Sequence, residues 1–250
     1  MDTNFIVIFS YFIVIYRIVQ LYEVLIAMSF QNQFTKTTTD ANLMETVHHG
    51  SAEYPFRYYY ENIALFDFKC IDWHWHSELE FIYIESGNVV FDIGTVHFEL
   101  NEGNGIMINS KILHRLQSSS DAIIPNFLFQ PSFIAPQDSL IYKKYINPVI
   151  SSSLEYLVFQ PDIPWQKKAL EIIKTIIAVQ ETEFNREIIV SMSVQQLWIL
   201  LLENLTFDQF ENMGAVISRT RLQLMMQYVH AHYSENITLE DIARTANISK

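Results

Sequence analysis

Cysteine is nearly absent, since the 250-residue sequence contains a single one, Cys70. One thiol can neither close an intrachain disulfide nor build a thiolate cage around a metal ion, so both features are excluded. A chain that does without disulfides suits a reducing compartment, and we expect a cytoplasmic protein.

Basic residues are also scarce. Lysine and arginine together number 16 against 28 aspartates and glutamates, which gives a formal net charge of −12. A negative field of this size repels phosphate groups, which argues against broad electrostatic attraction to nucleic acid or to anionic lipid. Any contact with nucleic acid must therefore be local.

Long apolar runs are missing as well, although half of the residues are hydrophobic. The strongest candidate, FIVIFSYFIVIY, covers only twelve residues, 5–16, whereas a bilayer span needs roughly 18 to 20. Asp2 stands where an export signal would carry positive charge. We expect residues 1–27 to be an extension translated from upstream of the natural start, with Met28 or Met44 as initiator. A membrane anchor is the less favoured alternative.

Sequence motifs of several enzyme classes do not occur. There is no glycine-rich phosphate loop, no GxSxG elbow and no HExxH helix, so nucleotide hydrolysis, serine hydrolase and zinc protease chemistry have no support. With 18% charged residues the composition is that of a packed globular protein. The chain is long enough for one large domain or two modest ones.

A β-rich region is predicted between 51 and 160, after an apolar extension and polar linker at 1–50. Short β-branched and aromatic runs alternate there with turn signals about every ten residues, a spacing typical of an antiparallel sandwich or barrel. The clearest runs are VVFDI (89–93), VHFEL (96–100) and GIMIN (105–109).

Helical periodicity replaces this pattern from 161 to 210. Apolar residues recur at helical spacing in WQKKALEIIKTIIAVQ, residues 165–180. The next predicted helix, about 187–205, is apolar around much of its circumference, so it must be covered on more than one side. Either the barrel or a partner subunit supplies that cover, and this region is our candidate for a homodimer contact.

The last region, 215–250, contains two further helical patterns. RLQLMMQYVHAHY carries an apolar stripe, and ITLEDIARTANISK starts with a helix-capping signal in which Thr238 and Asp241 stand three residues apart. Asn247 tolerates the left-handed backbone that a tight turn needs. Two helices joined by such a turn are predicted at the end of the sequence.

Two histidines and two carboxylates lie close together in WHWHSELE, residues 73–80. Side chains alternate along a strand, so an extended chain places His74, His76 and Glu80 on one side. Imidazole and carboxylate groups suit manganese, iron, nickel or zinc. The remaining histidines, including His49, have no spacing that joins them to this cluster.

The order His-x-His, Glu80 and Gly87, followed further on by His114, resembles the paired motifs of the cupin superfamily. The resemblance implies a small antiparallel barrel in which His74, His76, Glu80 and His114 converge, as ligand-binding residues or as donors to a divalent metal. The segment NSKILH departs from the cupin pattern, which has a proline and a glycine before its histidine. Three interpretations stay open: a bound metal, a metal-free ligand pocket, and polar side chains with a purely structural role.

The C-terminal patterns resemble the start of the DNA-binding domain of AraC-type transcriptional regulators, in which a barrel sensor commonly precedes two helix-turn-helix units. The resemblance implies an α+β protein with an antiparallel cupin-like barrel, then helices, then a truncated helix-turn-helix. The recognition helix reads base edges in the major groove, and it would begin at Ser249 and Lys250, the last two residues. We therefore expect a truncated gene model or a fragment.

The leading functional hypothesis is a ligand-responsive transcriptional regulator and not an enzyme. It would sense a small-molecule effector in the barrel and, when complete, bind promoter DNA as a homodimer. No cofactor is needed for this role, although a divalent metal fits the cluster. The alternative is a metal-dependent cupin enzyme, a dioxygenase or an isomerase. A third hypothesis, a membrane-tethered binding protein, depends on residues 5–28.

Overall fold

The computed structural model describes residues 36–182, 184–205 and 213–248. The apolar segment 5–28 and the predicted DNA-reading residues Ser249 and Lys250 lie outside the described residues. In the described parts of the chain, no helix has both the length and the apolar character that crossing a membrane requires.

Strands and helices in the described residues confirm the predicted α+β class. All pairings between the named strands are antiparallel, and the strands form two sheets, of five strands in the order β1-β8-β3-β6-β9 and of four in the order β2-β7-β4-β5. The strands are β1 Phe56–Asn62, β2 Cys70–His74, β3 Leu79–Tyr83, β4 Asn88–Ile93, β5 Val96–Asn101, β6 Gly105–Ile108, β7 His114–Gln117, β8 Ile123–Phe129 and β9 Tyr156–Phe159.

The three strands named from sequence, β4, β5 and β6, are confirmed to within one residue at each end. The strand β9 was not predicted, because its four residues YLVF lie between Pro148 and Pro161 in a stretch that is typical of a loop. A run this short carries no periodicity of its own. Its pairing with β6, in which Phe159 faces Gly105, defines it as a strand.

Alternation along the strands of the larger sheet sends side chains to two different cores. On β3, Ile82 points into the barrel between the two sheets, whereas Phe81 points outward towards the helices. The barrel core is almost entirely aliphatic, and its members are Ile63, Phe66, Ile71, Ile82, Ile84, Val89, Phe91, Ile93, Leu100, Ile106, Ile108, Ile112, Leu116, Ala122 and Ile124.

Helices cover the outer face of the larger sheet. Pro164 occupies the first turn of α2, where its missing N–H costs nothing. The residues Ala169, Ile173 and Ile176 recur at helical spacing and are fully buried in the outer core. The helices are α1 Asn147–Ile150, α2 Pro164–Ala178, α3 Arg186–Asn204, α4 Met213–His232 and α5 Leu239–Thr245.

The helix α3 is covered on one side in this chain. Val194 and Leu197 are buried in the outer core, against α2. Ile188, Met192 and Ile199, which stand four and seven residues apart, are 57%, 56% and 57% exposed. The sequence predicts that this apolar helix is covered on more than one side. The second side, the apolar stripe of Ile188, Met192 and Ile199, is not covered by any described residue.

The helix α5 starts as the sequence predicts. The backbone N–H of Asp241 donates to Thr238 Oγ1 at 3.2 Å, and the backbone N–H of Thr238 donates to Asp241 Oδ2 at 3.1 Å. This reciprocal capping box satisfies two amide groups that a helix start leaves without partners. Asn247 adopts a left-handed backbone with φ of 52°, as expected for the turn after α5.

Residues 36–50, here called the arm, differ from the predicted loose linker. The backbone N–H of Trp75 donates to Leu43 O at 3.0 Å, and the N–H of Glu45 donates to Trp75 O at 2.9 Å. Leu43 is only 2% exposed. The arm is thus attached to the chain just after β2, beside the histidine cluster.

Candidate functional site

The segment WHWHSELE joins the two sheets instead of forming one strand. The strand β2 ends at His74, and β3 begins at Leu79 in the other sheet. The prediction from a single alternating strand was wrong in this respect. The four predicted residues nevertheless meet, because His74 pairs with His114 across β2 and β7 and Glu80 points inward from β3.

All four predicted site residues are buried and lie within contact distance of each other. One side-chain nitrogen from each of His74, His76 and His114 lies within 4.8 Å of the other two. Glu80 Oε2 lies 3.3 Å from His76 Nε2 and 3.2 Å from His114 Nε2. The structure therefore brings together the complete set of three imidazoles and one carboxylate.

Backbone carbonyls orient two of the imidazoles. His74 Nδ1 lies 2.7 Å from Asp72 O, and His114 Nδ1 lies 2.8 Å from Ile112 O. A carbonyl oxygen only accepts hydrogen bonds, so each Nδ1 donates and, in a neutral ring, each Nε2 keeps its lone pair. Burial and the neighbouring His114 lower the pKa of His74 to about 3, so this ring is neutral at physiological pH. Orientation of this kind is typical of metal-binding histidines.

Two nitrogens in the cluster are buried without a hydrogen-bond partner, His76 Nδ1 and His114 Nε2. His114 Nε2 is near Glu80 but outside hydrogen-bonding geometry, so the contact is electrostatic. Burial alone would raise the pKa of Glu80, yet His114 and His76 hold it below its usual range, and the carboxylate is ionised. Buried polar atoms without partners are rare and are typical of sites that take an ion or water.

The unusual NSK sequence before His114 fixes the turn that carries His76. The backbone N–H of Lys111 donates to His76 O at 2.8 Å, and Ser110 Oγ donates to Ser77 O at 2.7 Å. Asn109 Nδ2 donates to Leu154 O at 2.8 Å and to Val149 O at 3.0 Å. The departure from the cupin pattern thus has a structural role next to the cluster.

A second polar group, from the arm and β1, lies against the cluster. His49 Nε2 lies 2.9 Å from Glu45 Oε2, and His49 Nδ1 lies 2.9 Å from Tyr59 Oη. Burial disfavours both charges, but the mutual contact prevails, raising the pKa of His49 and lowering that of Glu45. The ring of His49 contacts that of His76 edge-on, with centroids 5.7 Å apart.

The position of His49 corrects the prediction that it is unrelated to the cluster. It is 8% exposed and lies beside His76, although the two residues are far apart in the sequence. Neither helical nor strand periodicity connects the arm to β2, so no local pattern could have revealed the contact. Only the fold of the arm over the barrel places His49 there.

Glu61 and Asn126 extend the polar surface across β1 and β8. Asn126 Nδ2 donates to Glu61 Oε2 at 2.8 Å. Burial and the negative charge of Glu80 raise the pKa of Glu61 to about 8, so its carboxyl group is largely protonated at neutral pH. Neither residue was predicted, because a lone acid and a lone amide in strands carry no spacing signal.

A small cavity lies beside the cluster and is bordered by His74 and Glu80 but not by His76 or His114. Its volume is about 40 Å³, which suffices for a few water molecules or a hydrated ion and is far below the roughly 300 Å³ of a typical organic ligand pocket. It is lined by Lys36, Thr37, Glu45, Val47, His49, Tyr59, Glu61, Phe66, Ile71, His74, Glu80, Leu116, Asn126 and Leu128.

The outer side of the arm faces α4. Gln227 Nε2 donates to Asn42 O at 2.8 Å. A second cavity, of about 290 Å³, lies at this contact and is lined by Thr37, Thr39, Leu43, Asp72, Trp73, Met226, Val229, His230 and Tyr233. The arm thus contacts the polar groups inside the barrel on one side and α4 on the other.

Comparison with known proteins gives matches at the level of family and sequence. The model of the AraC-like ligand-binding domain matches residues 66–136. The HTH-type transcriptional regulator YdeC of Bacillus subtilis (strain 168) is 33% identical over 218 residues, which cover 84% of this chain and 73% of YdeC.

Two solved structures resemble parts of the chain at low scores. An apo ToxT variant from Vibrio cholerae has a TM-score of 0.42 at 9% identity, and the matched region covers 80% of this chain and 73% of the ToxT chain. A protein from Shewanella frigidimarina with a cupin-2 domain has a TM-score of 0.26 at 14% identity and covers 29% of this chain and 69% of its own. Similarity at this level carries no functional inference.

Proposed function

The chain belongs to the family of HTH-type transcriptional regulators with an AraC-like ligand-binding domain, and on that premise we propose that it senses a ligand at the histidine cluster inside the barrel. The observation that carries this proposal is the buried polar site formed by His74, His76, Glu80 and His114 beside the hydrophobic core of the barrel. A buried polar group is costly unless it is paired, and two of these imidazole nitrogens make no hydrogen bond within the described residues.

The DNA-reading function is proposed for the region 215–250. The capped helix α5 and the left-handed Asn247 have the form of a helix-turn-helix start, and the recognition helix would then begin at Ser249 and Lys250. The net charge of −12 argues that contact with DNA is local and not spread over the surface. A cytoplasmic location is part of this proposal, and it is supported by the similarity to a transcriptional regulator and by the single cysteine.

We propose that residues 51–160 form the sensor and that residues 161–210 supply a homodimer contact. The support for the dimer is the exposed stripe of Ile188, Met192 and Ile199 on α3. An apolar stripe at this spacing is typical of a helix that packs against another helix. A second copy of α3 would bury the stripe.

The alternative of a metal-dependent dioxygenase or isomerase depends on the same four side chains. The matches to the AraC-like ligand-binding domain and to a transcriptional regulator favour a sensing role for these side chains over a catalytic one. The regulator is therefore the better-supported function.

DNA binding tests this proposal directly. We expect a protein that continues past Lys250 through a complete recognition helix to prefer its promoter half-site over random DNA, with an affinity that falls steeply with salt. Fluorescence anisotropy with labelled duplexes at several salt concentrations measures both properties. Equal affinity for promoter and random duplexes would contradict the regulator.

A further inference from the structure

We propose that the cavity of about 290 Å³ between the arm, β2 and α4 is a binding site for a small organic ammonium ion with an apolar or aromatic body. This site shares no residue with the histidine cluster. Its use as a signal rests on the regulatory function proposed above, because α4 precedes α5 and the proposed DNA-reading residues. Binding of the ion does not depend on that function.

The size of the cavity suits an organic molecule. Its volume is close to the roughly 300 Å³ at which pockets for organic ligands begin. The lining residues come from three segments that are distant in the sequence, namely the arm, β2 and the second half of α4 with the residue that follows it. One occupant would therefore contact all three segments.

One apolar face of α4 borders the cavity. Met226, Val229 and Tyr233 stand three and seven residues apart, which places them on the same side of the helix. None of them belongs to either hydrophobic core of the described residues. Leu43 and Trp73 contribute further apolar surface from the arm and from β2. An apolar or aromatic body in the cavity would remove this surface from water.

The acidic group at the cavity is Asp72, and none of the lining residues is a lysine or an arginine. Asp72 Oδ1 accepts a hydrogen bond from the backbone N–H of Trp73 at 2.8 Å. The carboxylate forms no ion pair with a described residue. An ammonium group would supply the opposite charge, whereas an organic acid would bring a second negative charge next to the first. The charge of the site therefore favours a cation.

The exposed lining residues show where the ammonium group would lie. Asp72 is exposed, and Tyr233 is 79% exposed. Both line the same cavity, so they mark its open side. A cation there gains from the carboxylate and from the face of an aromatic ring and stays partly hydrated. The apolar body would then extend inward, towards Leu43 and Val229.

Two contacts fix the position of the Asp72 and Trp73 pair. The backbone N–H of Asp72 donates to Thr37 Oγ1 of the arm at 3.0 Å. The guanidinium of Arg115 lies over the ring of Trp73, 5.4 Å from its centroid, and is itself held by Asp92 at 2.8 Å. The acidic and aromatic groups are thus oriented before a ligand binds, which lowers the entropic cost of binding.

The direct link between the arm and α4 at this site is one hydrogen bond, from Gln227 Nε2 to Asn42 O at 2.8 Å. A bound ammonium ion would add contacts from the arm and β2 to Met226 and Val229. A ligand that prefers the arrangement in which these segments are close together shifts the population towards it. The ion would in this way set the position of α4 relative to the sensor.

Calorimetric titration of the purified 250-residue chain tests the chemical class of the ligand. Benzylamine, benzyl alcohol and benzoate have bodies of similar size and differ in charge. We expect benzylamine to bind with the highest affinity and benzoate to bind at least about 10-fold more weakly, a difference of about 1.4 kcal/mol. Equal affinities for benzylamine and benzyl alcohol would overturn the choice of a cation. Absence of binding by all three compounds would overturn the site.

Two variants test the position of the site. Asp72→Asn should weaken benzylamine binding about 5-fold, as expected for a contact with an exposed carboxylate, and should leave benzyl alcohol binding unchanged. Val229→Trp should fill the cavity and abolish binding of both compounds. Asp121→Asn is the matched control, because this exposed carboxylate pairs with Lys69 and does not line the cavity. Benzylamine affinity that is unchanged in both variants, with native circular dichroism, would show that the ion binds elsewhere.

Hydrogen–deuterium exchange tests whether the ion links the arm to α4. Saturation with benzylamine should slow amide exchange both in the arm and between Met226 and Tyr233. Protection restricted to the arm and β2 would overturn the role of the ion as a signal. Preference for promoter DNA is measured separately. A protein that prefers its promoter but binds no amine would contradict this inference alone, and a protein that binds the amine without such a preference would contradict the regulator alone.

Discussion

At the residue scale, single positions decide how the arm and the barrel are held. Gly50 has a φ of 87° at the end of the arm, and Gly103 has a φ of 85° in the turn before β6. A Cβ atom at Gly50 would lie 2.6 Å from Phe56 N and 2.7 Å from Tyr54 O, whereas one at Gly103 would meet nothing within 4 Å. An alanine at Gly103 would therefore introduce only backbone strain, whereas an alanine at Gly50 would introduce both backbone strain and a steric clash.

We expect Gly50→Ala to destabilise the protein more than Gly103→Ala. Both substitutions force a side chain into the left-handed region at a cost of about 1–2 kcal/mol, but only the first also displaces the arm. Urea unfolding measures the two free energies of unfolding. Equal effects of the two variants on the free energy of unfolding would contradict a role of Gly50 in placing the arm.

Asp92 gives a prediction about pH. Burial alone would raise its pKa, but His97 and Arg115 hold it below the usual range, and Arg115 Nη2 lies 2.8 Å from Asp92 Oδ2. A carboxylate with a lowered folded-state pKa stabilises the protein above its unfolded pKa of about 3.9, and this contribution is lost as pH falls through the folded value. Asp92→Asn should therefore cost about 1 kcal/mol at pH 7 and less near pH 3.

Urea unfolding at both pH values checks this expectation. Asp121→Asn is the matched control, because Asp121 pairs with Lys69 at 3.2 Å on the surface and its side chain is 77% exposed. That variant should change stability little at either pH. A cost of Asp92→Asn that is as large near pH 3 as at pH 7 would mean that the carboxylate charge is not the cause.

At the element scale, the sequence predicts that α3 is covered on more than one side but not what covers it. Its apolar circumference predicts cover on two sides, and the described residues cover one, through Val194 and Leu197. The stabilising free energy of hydrophobic burial is roughly proportional to the apolar area that is removed from water. The exposed stripe of Ile188, Met192 and Ile199 therefore favours self-association of this helix.

We expect Met192→Glu to convert a homodimer into a monomer. A charge in the centre of the stripe would have to be buried without a partner, which costs more than the contact contributes. Sedimentation velocity across a range of protein concentrations gives the mass. Lys167→Glu, an exposed position on α2, should leave the dimer intact; a dimer that survives Met192→Glu would place the contact elsewhere.

At the scale of the whole molecule, the interpretation of the cluster as a metal site has a consequence for stability, because an ion that binds only the folded state raises the free energy of unfolding. At an ion concentration of about 100 times Kd, the free energy of unfolding should rise by about 2.7 kcal/mol. For a chain of this length, that corresponds to an increase in Tm of about 5 to 11 °C. His114→Gln should remove the increase and His97→Gln should retain it, as measured by differential scanning calorimetry with and without chelator. A rise of equal size in both variants would indicate binding outside the cluster.

The sequence by itself determined the elements that carry a strong local signal. Alternation predicts β4, β5 and β6, helical spacing predicts α2 and α3, and the Thr238 and Asp241 pair predicts the start of α5. The resemblance to the cupin motifs also implies that His74, His76, Glu80 and His114 meet, as the structure shows. The strands and helices depend on residues that are close in sequence, and the convergence of the four site residues follows from the resemblance to a known family.

Only the tertiary structure decided the rest of the site. The turn between β2 and β3, the short strand β9 and the placement of His49 depend on contacts between segments that are distant in the chain. A residue such as His49 has no local periodicity that distinguishes a buried position from an exposed one. Its burial follows from the free energy of packing the arm over the barrel, which is a property of the folded molecule and of no short stretch of sequence.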